Sequence, residues 1–174
     1  MRRFTQVLNV IMTSKRSKYF TIGGAVLIAL LFGSVFIKLP VLSVETKDEF
    51  YWSFDKTFTL SWIHSVEKEE WMEFYEVKDN QLLLTHTSFK TFGAGVPSTF
   101  ADGKDVALDN GFITMETDRI FPSLYMAVSD NVKSTMIIDE KTIPLYKLTN
   151  DYEAVNISVI HISLWEMLLK GEHL

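Results

Sequence analysis

The chain has 174 residues, with 17 Lys and Arg against 22 Asp and Glu, a formal net charge of −5 at pH 7, and no cysteine. The lack of cysteine excludes disulfides, thiol catalysis and thiolate metal sites together. Five of the basic residues lie in the first 18 positions, which leaves 12 basic residues against all 22 acidic ones in the rest of the chain. This surplus of negative charge argues against nucleic acid as a partner.

Residues 19–37 form an uncharged, largely apolar run of 19 positions. A helix of this length rises roughly 28 Å, close to the thickness of a bilayer's hydrocarbon core, so the run predicts one transmembrane helix. Short basic flanks stay in the cytoplasm, so the preceding basic residues predict an inward N-terminus. We expect a single-pass protein of the cytoplasmic membrane in three segments: a basic cytoplasmic tail at 1–18, a signal anchor at 19–39 and an extracytoplasmic domain at 40–174.

A cleaved signal peptide is the alternative interpretation of the same run. Its apolar core would span about 7–15 residues and would end at a small-x-small site. The run is longer than that and leads to Pro40 without an Ala-x-Ala signal. The sequence therefore favours an uncleaved anchor and leaves the question of cleavage open.

After the anchor, short runs with strand character are separated by turn signals. Strands are predicted at residues 41–46, 50–54, 57–64, 70–78, 81–92, 112–117, 125–129, 135–138, 142–148 and 155–163. The polar stretch 99–110 is expected to be irregular, and residues 164–170 to be a short helix or the end of a strand. Many short strands at roughly 8–12-residue spacing predict an all-β domain, an antiparallel β-sandwich or barrel.

Alternation along two of these strands shows which side chains share a face. Phe58, Leu60 and Trp62 alternate with Thr and Ser, the period of two that marks a half-buried strand. In the next strand, Glu73 and Tyr75 share one face because they are two positions apart, and Met72, Phe74 and Glu76 share the other.

A candidate binding motif lies where three consecutive strands would meet at one end or edge of a sheet. The first strand ends in a His-Ser-Val-Glu run, the second carries Glu73 and Tyr75, and the third leads into a Gly-Ala-Gly loop. Two glycines around one residue allow positive φ and could form a backbone nest for an anion, although a tight turn is the simpler interpretation. The motif consists of His64, Ser65, Glu67, Glu73, Gly93, Gly95 and Pro97.

Several kinds of chemistry are weaker interpretations of this motif. A metal site would need His64 to converge with Glu67, Glu73, His86 or His161, and no His-x-His or His-Glu-x-x-His spacing supports it. On an extended chain, adjacent His and Ser side chains face opposite sides, so they would not pair as base and nucleophile. We assign no catalytic residue, metal or cofactor. Two alternatives stay open: a small cell-envelope hydrolase that uses Glu67 and Glu73 or a His-bound metal, and a solute-binding domain.

The runs HSVEKEEWMEFYEV and TSFKTFGAGVPS, with the single N-terminal anchor and the β-rich remainder, resemble a bacterial family of unknown function. Members of that family are commonly encoded beside TRAP-type secondary transporters of the TAXI class and are sometimes fused to their membrane subunits. The resemblance implies an accessory or interaction module outside the membrane. Its partners would be a transporter membrane subunit or a solute-binding protein. The resemblance carries no established catalytic residue, so none is assigned.

Overall fold

The computed structural model describes residues 19–91 and 106–174. These residues group into two compact units, one with residues 19–39 and 163–165, the other with the remaining described residues from 40 to 162 and 166–174. In the first unit, residues 19–34 are helical (α1) and largely exposed. Within the described ranges, no helix has both the length and the apolar character needed to cross a membrane. The transmembrane anchor at 19–39 stays a prediction.

The second unit is mostly β, as the spacing of strand and turn signals predicts. It contains a short 3-10 helix, Leu145–Lys147. Residues Leu164–Lys170 form a helix (α2), which decides between the two expectations for that segment. The strands are β1 Lys38–Glu45, β2 Phe50–Ser53, β3 Thr57–Ile63, β4 Glu70–Lys78, β5 Gln81–Phe89, β6 Val106–Asp109, β7 Phe112–Phe121, β8 Ser123–Ala127, β9 Thr135–Ile138, β10 Lys141–Pro144, β11 Ala154–Ser163 and β12 Glu172–His173.

The strands form two sheets that share one core. The first sheet has the order β12-β2-β1-β11-β8 and the second the order β10-β9-β3-β4-β5-β7-β6. Neighbouring strands of the long second sheet are antiparallel, whereas β12 of the first sheet runs parallel to its neighbour β2. The buried core joins residues of both sheets: Leu42, Val44, Phe58, Leu60, Tyr75, Leu82, Leu84, Val128, Met136, Ile138, Leu145, Val155 and Ile157.

The stretch expected to be irregular contains a strand. Residues Val106–Asp109 form β6, which pairs with β7 from Val106 opposite Met115 to Asp109 opposite Phe112. Asn110 and Gly111 connect the two strands with positive φ values of 48° and 81°. An Asn-Gly pair is the strongest short signal for a two-residue hairpin, and it outweighs the polar character of the preceding residues.

Strand ends also differ from the prediction for tertiary reasons. Strand β7 runs to Phe121 because it pairs with β5 along its length. The predicted strand at 142–148 stops at Pro144, and Leu145 turns into the core within the 3-10 helix.

Strand β5 contains a bulge at Thr85, whose hydroxyl donates a 3.0 Å hydrogen bond to the carbonyl of Phe74. A bulge of this kind bends the strand and changes the direction of the side chains that follow it.

Candidate functional site

The inward face of β3 and β4 forms one wall of the candidate site. In the antiparallel register Leu60 lies opposite Glu73, and Phe58 lies opposite Tyr75. The rings of Phe58 and Tyr75 stack at a centroid distance of 5.0 Å. The register confirms that Glu73 and Tyr75 share one face of β4, and it adds that this face is the inward one, which places a carboxylate in a row of otherwise apolar and aromatic side chains.

A cavity of about 470 Å³ opens in front of this carboxylate. Its far wall comes from β8 in the other sheet, and its rim comes from the turn after β3 and from residues just before β9. This volume lies within the range of small-molecule sites. The lining residues are Leu60, Trp62, His64, Ser65, Glu73, Tyr75, Leu124, Tyr125, Met126, Ala127, Val132 and Ser134.

Glu73 is the acidic group of the cavity. The hydroxyl of Tyr75 donates a 2.6 Å hydrogen bond to Glu73 Oε2. Burial raises the pKa of Glu73, while the hydrogen bond from Tyr75 and the positive charge of Arg119 oppose that rise. Burial also raises the pKa of Tyr75, with a further contribution from the neighbouring carboxylate. The pair thus combines a partly desolvated acid with a neutral phenol that holds it in place.

The turn from β3 to β4 brings His64 and Ser65 to the rim of the same cavity. The N–H of His64 donates to the Glu69 carbonyl at 2.8 Å, and the N–H of Lys68 donates to the His64 carbonyl at 3.0 Å. Our expectation that His64 and Ser65 face opposite sides is wrong, because the chain turns here instead of staying extended. Both residues line the cavity.

The remaining predicted residues have different positions. The carboxylate of Glu67 contacts Nδ1 of His64 within the turn. The two candidate glutamates therefore have different partners, His64 for one and Tyr75 for the other, instead of forming a carboxylate pair with each other. Gly93, Gly95 and Pro97 lie outside the described residues, so the Gly-Ala-Gly loop stays a sequence prediction.

His86 and His161, two of the histidines considered for a metal site, are not brought together with Glu73. His86 lies opposite Phe74, on the other face of the sheet, and the two rings stack at a centroid distance of 4.0 Å. His161 is exposed on β11. Among residues 19–91 and 106–174, no three His, Asp or Glu side chains are placed to hold a metal ion.

Sequence reasoning missed much of the site. Leu124 and Met126 on β8 and Val132 before β9 were not candidates, although they line the cavity. They are more than 50 positions away from Glu73 in the chain and carry no polar signal. Tyr75 could have been predicted as a site residue from the sequence, because its alternation with Glu73 places the two side chains on one face.

A second cavity of about 490 Å³ lies between residues 45–51 and 168–172. It is rimmed by several carboxylates. The hydrogen bond that Tyr51 donates to Glu49 raises the pKa of Tyr51 to about 12, together with burial and the charges of Glu49 and Glu172. A cluster of exposed acidic residues is ordinary on a protein with this charge balance. The cavity in front of Glu73 is therefore the better candidate, because it combines apolar walls with a few converging polar groups.

Comparison with known families found a match over residues 58–145 to a family described as a domain of unknown function, DUF1850. The matched region runs from β3 to the 3-10 helix after β10, so it contains Glu73, Tyr75 and every other residue that lines the cavity. No curated protein matches the chain, and no solved structure does.

Proposed function

Because the chain belongs to the DUF1850 family, whose domain has no known function, we propose one from the geometry of its cavity. The protein is a non-catalytic, ligand-binding accessory module of a TAXI-class TRAP-type solute transport system. Its β-sandwich domain is held outside the cytoplasmic membrane by an anchor at residues 19–39. Its partners are the transporter's membrane subunit or its solute-binding protein.

One observation carries the binding role. The cavity has the size of a small-molecule site, and it places a half-buried carboxylate and a buried tyrosine in walls that are otherwise mainly apolar. Such a combination of apolar surface with a few converging polar groups is typical of ligand sites. The separate partners of Glu67 and Glu73 favour binding over hydrolysis, since a glycoside hydrolase needs two carboxyl groups that flank one bond.

The transport role is supported by the family resemblance and by the charge distribution of the chain. A basic N-terminal flank followed by an uncharged apolar run favours an anchored domain on the outer side. The acidic surplus in the rest of the chain suits a domain that meets positively charged ligands or partner surfaces.

The test uses the full-length chain in the bacterium that encodes it. We expect a tagged copy, purified from detergent-solubilised membranes, to bring down a transporter subunit, and we expect deletion of the gene to lower uptake of that transporter's solute. Absence of any transporter subunit from the purified material, together with unchanged uptake in the deletion strain, would show that the proposal is wrong.

Two matched variants connect the cavity to this role. Leu124→Trp adds bulk to the cavity from the inward side of β8, whereas Leu108→Trp places the same bulk on strand β6, where Leu108 is exposed. We expect the Leu108 variant to restore uptake in the deletion strain and the Leu124 variant to fail, with both present at equal amounts in the membrane. If the two variants restored uptake equally, the transport role would not depend on the cavity.

A further inference from the structure

The proposed function leaves the chemical class of the ligand open. The charges around the cavity restrict the classes that are possible. Among the described residues that line the cavity, Glu73 is the one acidic residue and none is Lys or Arg, while Arg119 on β7, outside the lining, adds a positive charge near Glu73. A ligand carboxylate or phosphate in the cavity would meet a like charge without a basic partner in the lining. A ligand with a positive charge would meet an acceptor that is already in place.

The Glu73 carboxylate has hydrogen-bonding capacity left. A carboxylate offers about four acceptor positions on its two oxygens, and the bond from Tyr75 to Oε2 uses one of them. Tyr75 also limits the rotation of the carboxylate, so part of the entropic cost of binding is removed before the ligand arrives. A charged N–H donor in this setting forms the stronger, charge-assisted type of hydrogen bond.

The walls define the rest of the ligand. Trp62 offers an indole ring next to the carboxylate-bearing strand, and aromatic rings attract cations by their quadrupole. Leu60, Leu124 and Met126 provide aliphatic and thioether surface on both sides of the cavity. A ligand that fits all of these walls has an apolar or aromatic body joined to a cationic head.

We propose that this cavity binds a small organic cation, an amine or guanidinium joined to an apolar body, with its charged head on the carboxylate of Glu73. The proposal rests on the ligand-binding part of the proposed function and names the ligand class. It does not depend on which transporter, if any, works with the protein.

Calorimetric titration of the full-length chain with three probes of matched shape tests the ligand class. The probes are 2-phenylethylamine, 2-phenylethanol and phenylacetate. We expect the amine to bind at least about tenfold more tightly than the alcohol, the factor that one charge-assisted hydrogen bond supplies, and phenylacetate to bind most weakly.

Variants of one strand locate the charge. Glu73→Gln should abolish the preference for the amine over the alcohol, while Glu76→Gln, on the exposed outward position of β4, should leave it unchanged. Tyr75→Phe keeps the carboxylate and the cavity, so it should retain the preference. Thermal unfolding of each variant shows whether it is folded. If Glu73→Gln weakens the fold, the preference among the three probes, measured with the wild type and with Tyr75→Phe, still tests the cationic class.

Affinity for the amine should also rise with pH, since binding a cation requires the ionised carboxylate. The other titratable groups that line the cavity with Glu73 are Tyr75 on the same strand, His64 at the rim and Tyr125 on β8, and the charge of Arg119 on β7 also acts on Glu73. Repeating the titration with His64→Gln separates the contribution of the histidine from that of Glu73. We expect the rise with pH to persist in the His64 variant and to vanish in Glu73→Gln.

The outcomes separate this inference from the proposed function. Binding of the alcohol or phenylacetate as tight as that of the amine would overturn the cationic class while leaving a ligand-binding module intact. No binding of the amine at millimolar concentration would also overturn it. Binding of the amine with the predicted dependence on Glu73, but without copurifying transporter or any effect on uptake, would support the ligand class and remove the transport role.

Discussion

The hydroxyl of Tyr75 donates a 2.6 Å hydrogen bond to the carboxylate of Glu73, two positions earlier on the inward face of the same strand. The alternation of β4 makes this pairing possible, since residues i and i+2 lie on one side of a sheet. The phenol also stacks on Phe58 of the neighbouring strand. A polar group thus enters the apolar inter-sheet space with a partner supplied by its own strand, which limits the cost of burying it.

The first prediction concerns the pH dependence of stability at Glu73. Burial raises its pKa above the ordinary value of 4.5. The folded state therefore holds the proton more tightly than the unfolded state, and this contribution to stability is present below pH 4.5 and is lost as the pH rises through the folded pKa. The glutamine of Glu73→Gln cannot titrate. We therefore expect the free energy of unfolding of this variant to increase relative to that of the wild type as the pH rises.

Urea denaturation at a series of pH values from 4 to 8 measures this difference. Glu76→Gln, which removes one carboxylate from the exposed side of β4, controls for the loss of a charge. A difference between wild type and Glu73→Gln that stays constant over the whole series would contradict the prediction.

The second prediction concerns His86 on the opposite face of the sheet. Burial lowers its pKa from 6.5, while the charge of Glu116 opposes the change. The neutral form is favoured in the folded state, so stability is fully present above pH 6.5 and is lost as the pH falls through the folded pKa. We expect His86→Phe, which keeps the ring stacked on Phe74, to become more stable relative to the wild type as the pH falls from 8 to 5.

Thermal melts in buffers across that range check the His86 prediction. His86→Gln serves as the control, because it removes the titration and also the ring, whose contact with Phe74 has a centroid distance of 4.0 Å. It should show the same change with pH as His86→Phe at a lower overall stability. If the melting temperatures of both variants changed with pH in the same way as that of the wild type, titration of His86 would not contribute to acid sensitivity.

The third prediction concerns the two-residue turn between β9 and β10. Asp139 and Glu140 both have positive φ, at 46° and 63°. Left-handed backbone costs an L residue about 1–2 kcal/mol, whereas glycine adopts it freely but loses about 0.5–1 kcal/mol through the entropy of the unfolded chain. We expect Glu140→Gly to raise the free energy of unfolding by about 0.5–1 kcal/mol in equilibrium denaturation. Glu140→Ala, which keeps the Cβ, should give no such gain, and a gain from alanine equal to that from glycine would point to charge instead of backbone strain.

The fourth prediction concerns Gly171, which follows α2 and lies against β2. A Cβ at this position would be 2.5 Å from Cδ1 of Phe50 and 2.9 Å from the Phe50 carbonyl oxygen. Because one of these atoms belongs to the backbone, the clash cannot be relieved by a rotamer change alone, and overpacking of this kind costs about 1–3 kcal/mol. We expect Gly171→Ala to lower the midpoint of urea denaturation accordingly.

A double-mutant cycle with Phe50→Ala checks the origin of that loss. Removing the ring should relieve part of the clash, so the double variant should be less destabilised than the sum of the two single variants. Full additivity would show that Gly171 and Phe50 do not interact in the way their distances indicate.

Local patterns in the sequence determined the β class of the second unit, the inward face of β3 and which side chains share a face of β4. The alternation of Phe58, Leu60 and Trp62 is a property of a few neighbouring residues, and the structure keeps it because a half-buried strand needs it. The turn pairs after β4 and β9 are local in the same sense, since two residues with positive φ connect adjacent strands. The placement of Glu73 beside Tyr75 follows from this pattern alone.

Tertiary structure decided what lies opposite Glu73. The cavity exists because β8, which belongs to the other sheet, brings Leu124 and Met126 across the core from β3 and β4. No local period encodes that approach, since it depends on which apolar faces bury each other over long sequence separations. Backbone hydrogen bonds of His64 with Glu69 and Lys68 likewise turn Ser65 to the rim, where an extended chain would have pointed it away. The sequence thus determines the faces of the strands, and packing of the two sheets turns one of those faces into a site.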